Sequence, residues 1–219
     1  MIDERTAGLI ESLASSNSEF LTGLENRAIE EEVPIIRKDT QEFIKYLMKT
    51  RRPENILEIG TAVGFSAILM AENTPDSTRI LTVEDYPKRV EKARENLISS
   101  GYSERITLRE GDGEAVMKEL NERSEKFDFI FIDAAKAQYP NYLHESLSLL
   151  KDRGMLLADN CLKGGEIVES KFAVTRRNRT IHKRMREFLY EVTHNEELNS
   201  VILPVGDGMV MAEKTGKRN

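Results

Sequence analysis

Three features of this 219-residue chain predict a doubly wound, Rossmann-like α/β sheet with a terminal hairpin. Five short β-rich runs alternate with amphipathic stretches, the pattern of successive right-handed βαβ crossovers. Several of those runs are apolar at consecutive rather than alternate positions, as expected of parallel strands buried on both faces. The last two runs are separated by little more than Gly206-Asp207-Gly208, so short a link that they should pair antiparallel. The whole span 1–219 reads as one domain, with a helical lead-in over 1–50 and the sheet over 51–219. Hydrophobic residues make up 39% and charged residues 32%, which suits a globular chain able to bury a sizeable core.

The predicted strands are NILEIG (55–60), RILTVE (79–84), RITLREG (105–111), FDFIFID (127–133) and GMLLADN (154–160). Helices are expected between them, near 64–73, 87–100, 113–123 and 138–151. A longer helix should follow from about Thr175 to His194. Ile181, Met185, Phe188, Leu189 and Val192 are spaced there for one apolar face. NSVILPVG (199–206) and MVMAEK (209–214) then form the hairpin.

Several function classes are disfavoured at once. No apolar run approaches the ~20 residues needed to cross a bilayer. The amino terminus, MIDERTAGLI, carries acids and no apolar core, unlike a signal peptide. Cys161 is the only cysteine, which excludes an intramolecular disulfide and suits a reducing cytoplasm. A net charge of -6 gives no global case for nucleic acid. The charge is uneven, however. Acids dominate residues 1–35, whereas Lys171 to Arg186 contains no acid and seven Lys/Arg.

Ligands of a doubly wound sheet bind beyond the carboxyl ends of its strands, and the chemically suggestive residues lie there. The first strand ends Glu58-Ile59-Gly60-Thr61-Ala62-Val63-Gly64-Phe65-Ser66. Gly60 permits a tight turn and Gly64 lets a helix begin close to a ligand. The spacing is neither the dinucleotide fingerprint nor a P-loop, and a plain βα turn would share it. The second strand ends in Glu84, some 20 residues on, where an acid can accept hydrogen bonds from both ribose hydroxyls. The third ends Gly111-Asp112-Gly113. Asp112 could meet an adenine amino group, cap the next helix, or do both. Together the three tips point to an adenosine-containing cofactor.

The fourth and fifth strands end in Asp133 and in Asp159-Asn160. Adjacent parallel strands would bring these three oxygen donors to one edge, where they suit octahedral Mg²⁺ better than zinc. Strand-end acids that cap helices are the ordinary alternative, although Asp159-Asn160-Cys161-Leu162 shows no strong helix signal. His144, His182 and His194 lie on predicted helices and read as solvated or structural. Lys136, three residues past Asp133, shares that edge. Beside a metal and a sulfonium its pKa should fall, which makes it a candidate base for a hydroxyl; otherwise it is a surface lysine.

In this order, EIGTAVGFS, TVE, FIDAAK and LLADN resemble the metal-dependent catechol and caffeoyl-CoA O-methyltransferase family, over about Val33 to Lys214. The resemblance implies that the backbone near Ile36, with Glu58, Gly60, Ser66 and Glu84, binds S-adenosylmethionine. It places Asp112 and Gly113 by the adenine and Asp133 at both cofactor and metal. It makes Asp133, Asp159 and Asn160 the Mg²⁺ ligands and Lys136 the base. The stretches VPII, IDAAKAQY, DNCLKGGEIVES, TRRNRTIHKRMREF and LPVGDGM look most like the branch of bacterial tRNA 5-hydroxyuridine methyltransferases. That branch implies a homodimer converting wobble 5-hydroxyuridine to 5-methoxyuridine. Cys161 departs from the valine expected after Asp-Asn.

The 5-hydroxyl and 4-carbonyl of 5-hydroxyuridine are adjacent oxygens, like the hydroxyls of a catechol, and either pair could chelate one metal. The choice of acceptor must therefore be made elsewhere. Arg176, Arg177, Arg179, Lys183 and Arg184 could track tRNA phosphates. A solvated helix face is the alternative for such a run, with a small phenol as acceptor. A third possibility, a non-catalytic RNA-binding module, is disfavoured by the intact Asp133, Lys136, Asp159 and Asn160.

Overall fold

The computed structural model describes residues 4–162, 166–170 and 174–216. Residues 163–165 and 171–173, Lys171 of the basic segment included, lie outside the described residues. The chain divides into two compact units, Met1–Asp112 and Gly113–Asn219.

The first unit opens with three helices, α1 (Glu4–Leu13), α2 (Glu19–Glu30) and α3 (Lys38–Arg51). Ser18 caps α2 by accepting from the Leu21 amide at 3.1 Å. The α3 helix ends at Arg52, which turns left-handed at φ 49°. Three parallel strands follow, β1 (Asn55–Ile59), β2 (Arg79–Glu84) and β3 (Ile106–Glu110), in the order β3-β2-β1. Their links carry α4 (Phe65–Glu72) and α5 (Pro87–Ser99). Residues 65–71 of α4 are all buried, and all but Ser66 are apolar, so this short helix belongs to the core.

The second unit holds α6 (Gly113–Glu122), β4 (Phe127–Ile132), α7 (Tyr139–Leu149), β5 (Leu150–Ala158), α8 (Arg179–His194), β6 (Leu198–Leu203) and β7 (Met209–Lys214). The β4 and β5 strands are parallel. The β7 strand pairs antiparallel with both β5 and β6, giving the order β4-β5-β7-β6. The expected hairpin thus docks through its second strand. Among the described residues no helix is long and apolar enough to cross a membrane.

Two expectations need correction. The β5 strand begins at Leu150 instead of Gly154, and α7 stops at Leu149. Its register slips opposite β4 between Phe127 and Phe129. The slipped segment carries Lys151, which pairs with Asp128 at 2.9 Å, and Arg153 at φ 66°. Polar bulge residues of this kind carry no apolar period. The α8 helix begins at Arg179, because residues before it form a turn in which Asn178 N–H donates to Thr175 O at 2.9 Å. Its inner face uses His182, Met185, Phe188 and Val192, while Ile181 stays 40% exposed. A histidine whose Nε2 lies 3.1 Å from Glu169 O can be buried where hydropathy alone favours isoleucine.

Candidate active site

In the first unit, the turn after β1 is clamped to the end of β2 by consecutive contacts. Gly60 and Thr61 N–H both donate to Val83 O, at 2.9 and 3.1 Å. Ala62 N–H donates to Glu84 Oε2 at 2.8 Å. Gly60 adopts φ 103° and Gly64 φ 89°, as the tight turn requires. A Cβ on Gly64 would also press on Leu97 at 3.4 Å. Ala62 takes φ 46°, a left-handed conformation that costs a non-glycine residue energy and is held by its neighbours.

Beneath the turn runs a buried chain of side chains. In the β1–β2 register Glu58 stands opposite Thr82. Thr82 donates to Glu58 Oε2 at 2.5 Å, and Thr61 Oγ1 lies 2.5 Å from Thr82 Oγ1. Each hydroxyl has one proton, so Thr61 donates to Thr82 and Thr82 to the carboxylate. Glu58 is fully buried and acts as the foundation of the turn. Glu84 is the buried acid at the strand tip, with Oε1 also accepting from Tyr86 N–H at 3.1 Å. Each of its oxygens keeps further lone-pair capacity for a ribose hydroxyl.

That arrangement makes a sharp test possible. In Glu84→Gln the amide must place its NH₂ against the Ala62 or the Tyr86 N–H, donor facing donor. The expected result is a loss of about 1–3 kcal/mol in stability. Cofactor affinity should fall by roughly 10-fold or more, as one charge-assisted acceptor is lost. Thermal melts and calorimetric titration with S-adenosylmethionine measure the two effects.

The other residues expected at the cofactor are placed as follows. Ser66 is buried in the first turn of α4. Ile36 is buried, and its carbonyl accepts from Gln41 Nε2 at 3.0 Å, which fixes the backbone there. Gly111 N–H donates to Glu84 O at 2.9 Å and ties the third strand tip to the second. Asp112 is exposed just beyond it, and Gly113 is the buried first residue of α6.

In the second unit the two acidic strand ends are neighbours, as adjacent parallel strands demand. Ile132 pairs with Ala158, so Asp133 and Asp159 follow side by side, with Asp159 N–H donating to Ile132 O at 2.9 Å. Asn160 turns left-handed at φ 60°, a conformation that asparagine tolerates better than most residues. Asp159 Oδ1 accepts the Asn160 N–H at 2.7 Å and holds that turn. Asn160 Nδ2 then reaches Asp133 Oδ1 at 2.6 Å. Half a rotation of the Asn160 amide exchanges Nδ2 for Oδ1, and the cluster then offers three hard oxygen donors and two negative charges. Such a set fits Mg²⁺ or a similar cation. Among the described residues no histidine joins it: His144 is exposed on α7, His182 is buried on α8, and His194 is stacked on Tyr190.

Tyr139 and Cys161 brace this edge, and sequence reasoning assigned neither a role. The Tyr139 hydroxyl donates to Asp159 O at 2.8 Å. Burial, and then the Asp133 carboxylate, push its phenol well above the ordinary range. Burial and the Asp159 carboxylate likewise raise the Cys161 thiol, so it stays protonated and lies 3.3 Å from Ala158 O as a donor. Its N–H donates to Gly208 O at 2.8 Å, joining the Asp-Asn turn to the β6–β7 link. Lys136 opens a three-residue 3₁₀ turn, Lys136–Gln138, immediately beyond β4.

The basic segment divides in two. Arg176, Arg177, Arg179 and Lys183 are exposed, Lys183 lying 3.5 Å from Glu187. Arg184 turns inward, its Nε donating to Ala137 O at 3.0 Å and its Nη2 to Asn141 Oδ1 at 2.6 Å.

A family model described as O-methyltransferase matches residues 11–215. A catechol O-methyltransferase of Niastella koreensis is 30% identical over 163 residues, 73% of this chain and 74% of its own length. Caffeoyl-CoA O-methyltransferase 1 of Eucalyptus globulus is 29% identical over 182 residues, 80% of this chain and 73% of its own. A candidate caffeoyl-CoA O-methyltransferase of Staphylococcus aureus superposes with a TM-score of 0.87 at 28% identity, over 97% of this chain and all of its own. The Bacillus cereus O-methyltransferase, solved in complex with SAH, has the same fold, with a TM-score of 0.84 at 24% identity and coverage of 95% and 96%. The fold is thus the Rossmann-like methyltransferase fold, and the chain belongs to the O-methyltransferase family as an S-adenosylmethionine-dependent enzyme.

Proposed function

We propose that this enzyme methylates one oxygen of a vicinal oxygen pair in a Mg²⁺-dependent reaction, and that its acceptor is wobble 5-hydroxyuridine in tRNA. The observation that carries the chemistry is the meeting of Asp133, Asp159 and Asn160 within hydrogen-bond range. On this reading those three hold Mg²⁺, and Asp133 also faces the cofactor. Bound there, the ion supplies a Lewis acid that lowers the pKa of an acceptor hydroxyl. The Lys136 amine takes the hydroxyl proton. The oxygen then forms its bond to the methyl carbon as the carbon–sulfur bond breaks, and that electron pair stays on sulfur in S-adenosylhomocysteine. Glu84, Ile36, Ser66, Asp112 and Gly113 orient the donor, and Glu58 and Gly60 support them.

The tRNA acceptor is supported by the exposed Arg176, Arg177 and Arg179, with Lys183 beside them. Partners of this kind fit a cytoplasmic enzyme, which we take to be a homodimer. A second reading, a small catechol or caffeoyl-type phenol, is favoured by the relatives, two of which are named for those acceptors. Mass spectrometry of tRNA nucleosides from a deletion strain separates them. Loss of 5-methoxyuridine with accumulation of 5-hydroxyuridine is expected, and an unchanged nucleoside profile selects the phenol.

A purified-enzyme test addresses the arginines. Replacing Arg176 and Arg177 by alanine should raise the KM for tRNA roughly 10-fold and flatten the slope of log affinity against log salt by about 1 to 2. The rate on catechol should hardly change. Unaltered tRNA kinetics in the double variant reduce the segment to a solvated face.

A further inference from the structure

The 3₁₀ turn that carries Lys136 is only three residues long, closed by Gln138 N–H donating to Ala135 O at 2.9 Å, and so short a turn depends on outside contacts for its orientation. Its support comes from α8. Arg184 Nε donates to Ala137 O, one residue past Lys136, at 3.0 Å. Arg184 Nη2 donates to Asn141 Oδ1 at 2.6 Å. Asn141 Nδ2 in turn donates to Gln138 Oε1 at 3.0 Å, the last residue of the turn, and to Glu114 Oε2 at 2.6 Å on α6. The third guanidinium nitrogen, Nη1, faces Glu187 Oε2 at 3.4 Å. All three nitrogens of Arg184 therefore point at protein oxygens. A planar five-donor fork suits such divergent acceptors better than any other side chain.

From these contacts we infer that Arg184 is a positioning residue, which acts through the Lys136 turn and does not grip phosphate as its neighbours in the basic segment are proposed to do. The inference rests on Lys136 being the base. A clamp on the carbonyl at 137 and, through Asn141, on the side chain at 138 fixes the backbone from which the Lys136 amine projects. Misplacement of such a group by about 1 Å is enough to lower a rate by roughly 100-fold.

The test is a set of single-turnover rates and binding constants for 5-hydroxyuridine-containing tRNA and for catechol. Arg184→Ala should lower the methyl-transfer rate by roughly 10- to 100-fold on whichever acceptor the wild type uses. Acceptor KM, its salt slope and the Kd for S-adenosylmethionine should stay within about twofold. Arg184→Lys keeps a donor for Ala137 O and should recover part of the rate. Asn141→Ala removes the other end of the clamp and should reproduce the defect, which covers the case in which Arg184→Ala alone is too unstable to assay. Added to Lys136→Ala, Arg184→Ala should cause little further loss, because a group acting through Lys136 has nothing left to position. A raised KM and flattened salt slope at an unchanged rate make Arg184 a phosphate contact and overturn the inference. A full further loss on the Lys136→Ala background overturns it too. An inactive Lys136→Ala beside a normal Arg184→Ala overturns it alone, whereas a normal Lys136→Ala removes the base and takes this inference with it.

Discussion

Asp159→Ala is expected to abolish methyl transfer while leaving the binding of S-adenosylmethionine close to wild type. The carboxylate lies in the second unit, whereas the glycine turn and Glu84, which are proposed to hold the donor, lie in the first. Removing it deletes one of three oxygen donors and half of the cluster's formal charge. It also frees the Asn160 turn, since Asp159 Oδ1 is the acceptor for the Asn160 N–H. Both losses fall on acceptor activation, so a drop of about 1,000-fold or more in kcat is the expected size. The part-buried Asn160 N–H left without this acceptor adds a structural cost of at most about 1 kcal/mol. Asp159→Asn keeps an acceptor of the same shape and separates that structural cost from the chemical one. Calorimetric titration with S-adenosylmethionine, run beside an activity assay, gives both readings. EDTA should inactivate the wild-type enzyme in parallel, and full activity in EDTA would rule out the metal-dependent mechanism.

Much of this site is written at strand ends, and for that reason it was legible. The central run of a parallel strand buried on both faces is apolar, so the acid that closes that run marks the tip. Glu84, Asp133 and Asp159 all stand at such transitions. The β4–β5 register then makes Asp133 and Asp159 neighbours without further information. Other contacts were not legible because they depend on partners distant in the chain. Thr82 looks like an ordinary strand residue, and only the β1–β2 register shows that it donates to Glu58 and accepts from Thr61. Arg184 belongs by composition to a basic run and by geometry to the turn of Lys136. His182 displaced Ile181 from the inner face of α8 because a nearby carbonyl, Glu169 O, satisfies its ring. For His182 a hydrogen bond outweighed the local hydropathy from which the expectation was drawn.

Lys136→Ala is expected to lower turnover by roughly 100- to 10,000-fold, the usual worth of a positioned general base, with far less effect on acceptor binding. The reason is the position of the residue at the mouth of β4, three places past Asp133 and at the start of a turn held from α8. On the proposed reading the Lys136 amine would accept the hydroxyl proton as the oxygen closes on the methyl carbon. Without it the proton must leave to water, so only acceptor molecules that are already ionised react readily. The residual rate should therefore climb with pH, about tenfold per unit until the acceptor hydroxyl is fully ionised. Acceptors of lower hydroxyl pKa should be rescued most, because more of them are ionised at any given pH. A wild-type enzyme, whose base does this work, should depend much less on acceptor acidity. Measuring kcat against pH for both enzymes, with two acceptors of different acidity, gives four profiles that test the assignment. If the alanine variant stays within about a factor of two of wild type and shows no steeper pH dependence, Lys136 is a surface lysine and the proton leaves by another route.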